Sequence, residues 1–323
     1  IIHGSGGISV NGINASIRRN KIISHNQTGI SCTSDIQEIS YNYIERCGLS
    51  RGNPDNGRDG INCQPDSIGG IVHHNLLVNN GAGISLASGN GQDSHVKGKI
   101  YSNTIIRCWN ESAIRLSGMD TAEVYNNLVY NAPQAVHFSN VDFSAPQSIN
   151  NNLFFSCDED FDYYLIPGYG VDTTLNHNGD QCDSFGNIFI DPELIGFGHD
   201  PYGLRQDSPA INAGSGVVDE DADGTISDIG YRPFDHNNPI PEIVQYVPEE
   251  QLYRLPHFGY LLFSMNAFDI DEDDLIGRYL LNGEAVSEEL SDTIYFAERQ
   301  AYQVIGEVTD GNSVVSTNWI VYV

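Results

Sequence analysis

Residues 75–86 read Asn-Leu-Leu-Val-Asn-Asn-Gly-Ala-Gly-Ile-Ser-Leu, and they contain both motifs that decide the fold. The first motif is an Asn followed two positions later by an apolar residue. It recurs as Asn20-Lys-Ile22, Asn42-Tyr-Ile44, Asn75-Leu-Leu77, Asn103-Thr-Ile105, Asn127-Leu-Val129, Asn152-Leu-Phe154 and Asn187-Ile-Phe189. A short motif that returns at intervals of 22 to 35 residues indicates a stacked repeat.

The second motif is Gly or Ala, an apolar residue, any residue and another apolar residue. It alternates with the first as Gly7-Ile-Ser-Val10, Gly29-Ile-Ser-Cys32, Gly60-Ile-Asn-Cys63, Gly83-Ile-Ser-Leu86, Ala113-Ile-Arg-Leu116 and Ala135-Val-His-Phe138. This alternation is typical of a strand with one buried face. Stacked coils bring equivalent Asn amides to strand spacing, so we expect the Asn side chains to hydrogen-bond along the stack.

These repeats resemble the right-handed parallel β-helix family over about residues 1–190. The resemblance implies an all-β fold of about seven coils built from PbH1-type repeats. The tail Asp207-Ser-Pro-Ala-Ile-Asn-Ala-Gly214 is similar to the segment that closes secreted bacterial β-helix proteins, so 191–238 is expected to cap the solenoid. Residues 239–323 are similar to bacterial immunoglobulin-like modules of the cadherin or PKD type, on Val308-Thr-Asp-Gly311 and Trp319-Ile-Val-Tyr-Val323.

The charge of the chain is strongly negative and unevenly placed. The net charge is −28, and residues 1–157 hold 11 acidic and 10 basic side chains, whereas residues 158–235 hold 17 and 2. Such a balance opposes binding to nucleic acid or to an anionic membrane. No apolar run is long enough for a membrane span. The resemblance to secreted bacterial β-helix proteins implies a secreted or cell-surface protein of bacterial type.

One acidic segment has the spacing of a calcium loop. Carboxylates, hydroxyls and a backbone carbonyl alternate there in the order of an EF-hand-type loop, with Gly224 at the sharp turn. The usual Glu at the twelfth position is replaced by Gly230. The expected Ca²⁺ ligands are Asp219, Asp221, Asp223, Thr225, Ser227 and Asp228.

A catalytic site is less clearly marked than the calcium loop. The enzymes that the fold resembles include polyuronate lyases, which need a basic residue beside a cation. The residues that would serve such a reaction are Arg58, Asp59, His95 and Lys97. Charged residues in long loops are more often simply solvated, which favours a chain without catalysis.

Other features concern the surface and the core. Outward positions of the Gly-Ile strands form a polar stripe that is a candidate glycan-binding surface: Ser9, Ser31, Asn62, Ser85, Arg115 and His137. N-glycosylation sequons occur at Asn14, Asn26 and Asn110. The six Cys fall in the repeat columns and are expected to be small buried side chains, with a Cys32–Cys63 bridge as an alternative.

The sequence therefore predicts an extracellular structural or adhesive protein. The first repeat strand begins after six residues with no visible cap, so we expect either that a preceding segment is missing or that another molecule covers this end. If the cover is another copy of the chain, the copies associate head to tail into a surface fibre. The alternatives are a calcium-dependent polyuronate lyase and a glycan-binding module without catalysis. The expected partners are other copies of the chain or surface glycans.

Overall fold

The chain of 323 residues has an all-β fold in the computed structural model. The structure describes residues 2–3, 7–12, 14–23, 27–33, 36–49, 59–64, 70–87, 97–118, 121–139, 148–161, 167–195, 202–216, 221–236, 240–269 and 274–323. None of these residues forms a helix long and apolar enough to cross a membrane. They divide into two compact units, one of residues 1–193 and 207–233 and one of 194–206 and 234–323.

The first unit is a parallel β-solenoid with three faces. Face one contains β1 (Ile2–His3), β4 (Lys21–Ile23), β7 (Tyr43–Glu45), β10 (Leu76–Asn80), β13 (Thr104–Cys108), β16 (Leu128–Tyr130) and β19 (Leu153–Phe155). Face two contains β2 (Ile8–Val10), β5 (Ile30–Cys32), β8 (Asp59–Cys63), β11 (Ala82–Ala87), β14 (Ile114–Ser117), β17 (Gln134–Ser139) and β20 (Glu159–Phe161). Face three contains β3 (Ala15–Arg18), β6 (Ile36–Ser40), β9 (Ile71–His73), β12 (Lys97–Tyr101), β15 (Thr121–Tyr125) and β18 (Ser148–Asn150).

The solenoid makes about five turns, so the predicted count of about seven is wrong. Five of the repeats, from Asn20 to Asn151, carry a strand on each of the three faces. In the turn that begins at Asn152, the described residues have no strand on face three. Ile188, which follows Asn187, forms no strand but two isolated bridges, a parallel one with Leu153 and an antiparallel one with Cys182. The number of Asn motifs exceeds the number of turns, because each motif marks only the first strand of a turn and the last motifs are not followed by strands on all three faces.

The core of the solenoid consists of stacked apolar columns. On face two, Ile30, Ile61, Ile84, Ile114 and Val136 lie in register, each essentially inaccessible to solvent. Full burial of one such side chain contributes about 1.5–3 kcal/mol. The cysteines are free thiols, and those at 32 and 63 are buried register partners, as expected for small core residues.

The Asn ladder expected from the sequence is confirmed. Each side-chain amide donates to the Oδ1 of the next repeat Asn at 2.9–3.0 Å, from Asn20 through to Asn187. The same Oδ1 accepts the backbone N–H of the preceding repeat Asn. The residue before each repeat Asn turns the corner with a positive φ: Arg19, Tyr41, His74, Ser102, Asn126, Asn151 and Gly186. Most of these are not glycine, so the ladder holds a backbone conformation that is usually costly.

The described part of the segment expected to close the solenoid contacts the side of face one. The outer residues Thr104, Leu128 and Leu153 of face one are buried although they point away from the core. Asn126 receives the backbone N–H of Ser215 on its Oδ1 at 2.8 Å and that of Gly230 on its carbonyl at 2.9 Å. The described part of 207–233 therefore packs along face one, because that face has an apolar outer surface to bury. A short antiparallel pair, β21 (Thr174–Leu175) with β22 (Gln181–Cys182), precedes this segment.

The second unit contains two sheets around one core. The smaller sheet has the order β23 (Glu242–Val247), β25 (Gly259–Phe268) and β28 (Ser291–Phe296). The larger has the order β24 (Leu252–Arg254), β30 (Val314–Tyr322), β29 (Ala301–Thr309), β26 (Ile276–Leu281) and β27 (Glu284–Ser287). All pairs are antiparallel except β24 with β30. Trp319 is fully buried in the shared core, and its indole N–H donates to the carbonyl of Pro248 at 2.7 Å.

Candidate functional site

The polar stripe on face two forms a single row in the structure. Ser9, Ser31, Asn62, Ser85, Arg115 and His137 are consecutive register partners on β2, β5, β8, β11, β14 and β17. Like residues align because parallel strands in register place equivalent positions directly beside each other. The predicted alignment of these positions in one row is confirmed, but Asn62 and Ser85 in the middle of the row are buried.

A cleft of about 410 Å³ lies at the end of this row. Arg115 and His137 line it together with Glu111, Gln134 and Glu159. The Arg115 guanidinium lies 3.6 Å from the Glu111 carboxylate, and the Gln134 amide donates to Glu159 at 3.0 Å. The cleft therefore presents carboxylates, a guanidinium and an imidazole, which suits hydrogen bonding to a hydroxylated ligand.

Three of these cleft residues were missed by sequence reasoning. Glu111 lies in a turn, four residues before Arg115, and this spacing was the available signal. Glu159 lies beside Gln134 in the last pair of strands on face two. That pairing could not be read from the sequence, because β20 lacks the Gly-Ile motif.

The two described residues that were considered for lyase chemistry lie on different faces of the solenoid. Asp59 is buried in β8 on face two, and Lys97 is exposed in β12 on face three. Arg58 and His95 lie outside the described residues. Burial, with a smaller contribution from the nearby Glu111 carboxylate, raises the pKa of Asp59 to about 6, while the hydrogen bond from Asn62 at 2.6 Å opposes this rise.

The carboxylates of the acidic loop accept hydrogen bonds from nearby backbone N–H groups. Asp221 Oδ2 accepts the backbone N–H of Asp228 at 3.0 Å. Asp223 Oδ1 accepts both the N–H and the hydroxyl of Thr225, at 3.0 and 2.7 Å. Asp228 Oδ1 accepts the N–H of Asn212 at 2.6 Å. These bonds hold the carboxylates in a defined arrangement.

The donor set of this loop fits a hard cation in part. Burial and the Asp228 and Asp223 carboxylates raise the pKa of Asp221 to about 7, so the negative charges are crowded, a condition that a bound cation relieves. The Ser227 hydroxyl already donates to the Ser215 carbonyl and accepts from the Asn126 amide, each at 3.1 Å. Asp219 lies outside the described residues. Among the residues that are described, no group of three or more His, Cys, Asp or Glu side chains is close enough to hold a metal ion.

An exposed Trp lies next in sequence to Asn110, which also lines the cleft on face two. Trp109 is 56% exposed, and the guanidinium of Arg107 lies 5.5 Å from the centre of its ring. Asn110, one of the sequon residues, follows directly and is exposed, as is Asn14. Asn26 lies outside the described residues. The Asn side chain of each described sequon is therefore exposed, whereas Ser112, which completes the second sequon, is buried.

A pair of adjacent histidines on face three is also brought together. His73 Nδ1 and His74 Nδ1 lie 2.8 Å apart, and His73 Nε2 lies 2.9 Å from Glu38. Adjacent strand residues normally point to opposite sides, but His74 has a positive φ and turns its side chain toward its neighbour. Tyr101 stacks on the His73 ring at 4.7 Å, so the pair belongs to a packed aromatic column.

The chain matches no protein-family model and no curated protein.

Proposed function

We propose that this protein is an extracellular structural or adhesive protein in which a rigid solenoid carries binding surfaces. The observation that carries the proposal is the uninterrupted Asn ladder, because its side-chain bonds tie each of its turns to the next. Buried and fully bonded amides resist local opening, which suits a load-bearing rod.

We further propose the finer features expected from the sequence. The coils are right-handed and of the PbH1 type, and the second unit is an immunoglobulin-like spacer with two sheets around one core. Copies associate head to tail at the surface of a bacterial-type cell, with Ca²⁺ stabilising the loop of Asp221, Asp223 and Asp228. The crowding of these carboxylates supports the choice of a divalent cation.

Electron microscopy of the purified full chain, with calcium and after chelation, tests the structural proposal. The expected result is filaments in calcium that shorten or fray when the ion is removed. A double variant, Asp221→Asn with Asp223→Asn, is expected to behave in calcium as the wild type does after chelation. Single particles under both conditions would contradict head-to-tail assembly.

A second candidate function is glycan binding at the cleft on face two. The observation that favours it is the set of charged and amide side chains at the end of an otherwise hydroxyl-rich row. Retention of the protein on an immobilised acidic polysaccharide, without product release, is the expected result. Release of products that absorb as unsaturated uronates would instead favour the lyase alternative.

A further inference from the structure

One side of the three-stranded sheet in the second unit carries exposed apolar side chains. Along β25, residues alternate between the core and this outer side. Phe263 and Met265 are buried in the core, whereas Tyr260 is 70% exposed and Leu262 is 49% exposed. On β28, Tyr295 is 50% exposed on the same side.

The two tyrosines form an aromatic pair. Tyr260 and Tyr295 are register partners on neighbouring strands, with ring centres 4.7 Å apart and planes tilted by 43°. Two exposed rings held on one rigid sheet provide a preformed apolar surface with phenolic hydroxyls at its edge. Ordering this surface costs little on binding, since the strands already fix it.

The surface continues from the tyrosines along the sheet as a row of uncharged side chains, most of them polar. Leu262 pairs with Thr293, Ser264 lies between Val247 and Ser291, and Asn266 pairs with Gln245. We refer to the strip from Tyr260 to Asn266, with these partners, as the tyrosine strip. At strand spacing it extends for roughly 20 Å along β25.

The tyrosine strip contains no charged residue, although it belongs to a very acidic part of the chain. Residues 236–323 include 15 acidic and 3 basic residues. Along β23, the next charged side chain is that of Glu242, which lies beyond the strip and pairs with Arg205 at 3.1 Å. A ligand with negative charge would be repelled by this unit, and so would a second copy of this acidic unit placed against the same face.

We propose that the tyrosine strip binds a neutral polysaccharide. A hexose has an apolar face of C–H groups, which stacks on Tyr260 and Tyr295, and a rim of hydroxyls. The Ser264, Asn266 and Thr293 side chains provide donors and acceptors for those hydroxyls. This inference concerns the second unit alone and does not depend on the function proposed for the solenoid.

Affinity electrophoresis of the full chain tests the proposal. Gels contain hydroxyethyl cellulose, galactomannan or carboxymethyl cellulose, so that the first and third share a backbone and differ in charge. The expected result is retardation by at least one neutral polymer, with weaker retardation by carboxymethyl cellulose. The double variant Tyr260→Ala with Tyr295→Ala is expected to lose at least about tenfold in affinity.

Tyr322→Ala is the matched control, since Tyr322 is an exposed tyrosine on the other sheet. It is expected to bind like the wild type, and thermal unfolding verifies that each variant is folded. Equal mobility of the wild type in the neutral gels and in a gel without polymer would overturn the proposal. So would a wild-type dimer in sedimentation that the double variant abolishes, because the occupant would then be a second copy.

Discussion

The carboxylate of Asp183 accepts the side-chain amide of Asn187 at 3.0 Å, and this contact ends the Asn ladder. Every rung donates its amide toward the C-terminal end, so the last amide needs an acceptor from outside the repeat. Asp183 is fully buried and also accepts the backbone N–H groups of Asn187, Phe185 and Gly170 at 2.9–3.1 Å. A carboxylate suits this place because it only accepts hydrogen bonds, and the aligned amide dipoles present their positive end to it.

Replacement of Asp183 by Asn should destabilise the solenoid by about 2–3 kcal/mol, because an amide NH₂ would face other donors in a buried place. Urea unfolding followed by circular dichroism measures the change in the free energy of unfolding. Asp158→Asn is the control, since Asp158 is an exposed carboxylate in the same region, and it should change stability by less than about 0.5 kcal/mol. An equal effect of both variants would contradict the role of Asp183.

Replacement of Asn103 by Ala should cost about 3 kcal/mol, because it removes an acceptor for Asn75 and a donor to buried carbonyls. Asn20→Ala, at the partly exposed start of the described ladder, should cost clearly less. The same unfolding experiment compares the two variants. If Asn20→Ala proves as damaging as Asn103→Ala, burial of the rungs is not what gives the ladder its strength.

Asp59 should make the solenoid less stable as the pH rises from about 4 to about 6. Its pKa is raised to about 6 in the folded chain, so the folded state holds a proton that the unfolded state has already lost. The free energy of unfolding should fall in this window, by at most about 1.4 kcal/mol per pH unit from this group, and then level off. The difference between wild type and Asp59→Asn, measured by urea unfolding across this range, isolates this contribution. Asp160 and Asp221 also have raised pKa values, of about 6 and about 7, so the variant should retain part of the slope.

Calcium should raise the thermal unfolding midpoint of the wild type, because an ion that binds only the folded loop stabilises it by mass action. Differential scanning calorimetry at several calcium concentrations measures the shift. Asp221→Asn should abolish the shift, whereas Asp191→Asn, an exposed carboxylate outside the loop, should leave it unchanged. A midpoint that is independent of calcium in the wild type would rule out the loop as a calcium site.

The repeated parts of this fold could be predicted from the sequence. Asn103 and Asn127 could be assigned to one column because each begins a motif, and the polar row through Arg115 and His137 follows from the same register. Period and alternation are local properties that a sequence displays directly.

The parts that could not be predicted depend on contacts between dissimilar segments. No motif indicates that Asn126 receives Ser215 and Gly230, or that Glu159 completes a cleft begun by Arg115. The side-by-side placement of His73 and His74 depends on one corner residue with a positive φ. Each of these contacts occurs once in the chain, so the repeat pattern of the sequence cannot predict it.

Asp183 ends the Asn ladder but does not belong to the repeated turn. Each rung between Asn20 and Asn187 offers the same donor and the same acceptor to its neighbours, so duplication of a complete turn would create no new kind of junction. The terminating carboxylate lies outside the part that would be copied. Evolution, or a protein engineer, can therefore vary the length of this solenoid one turn at a time while its end group remains unchanged.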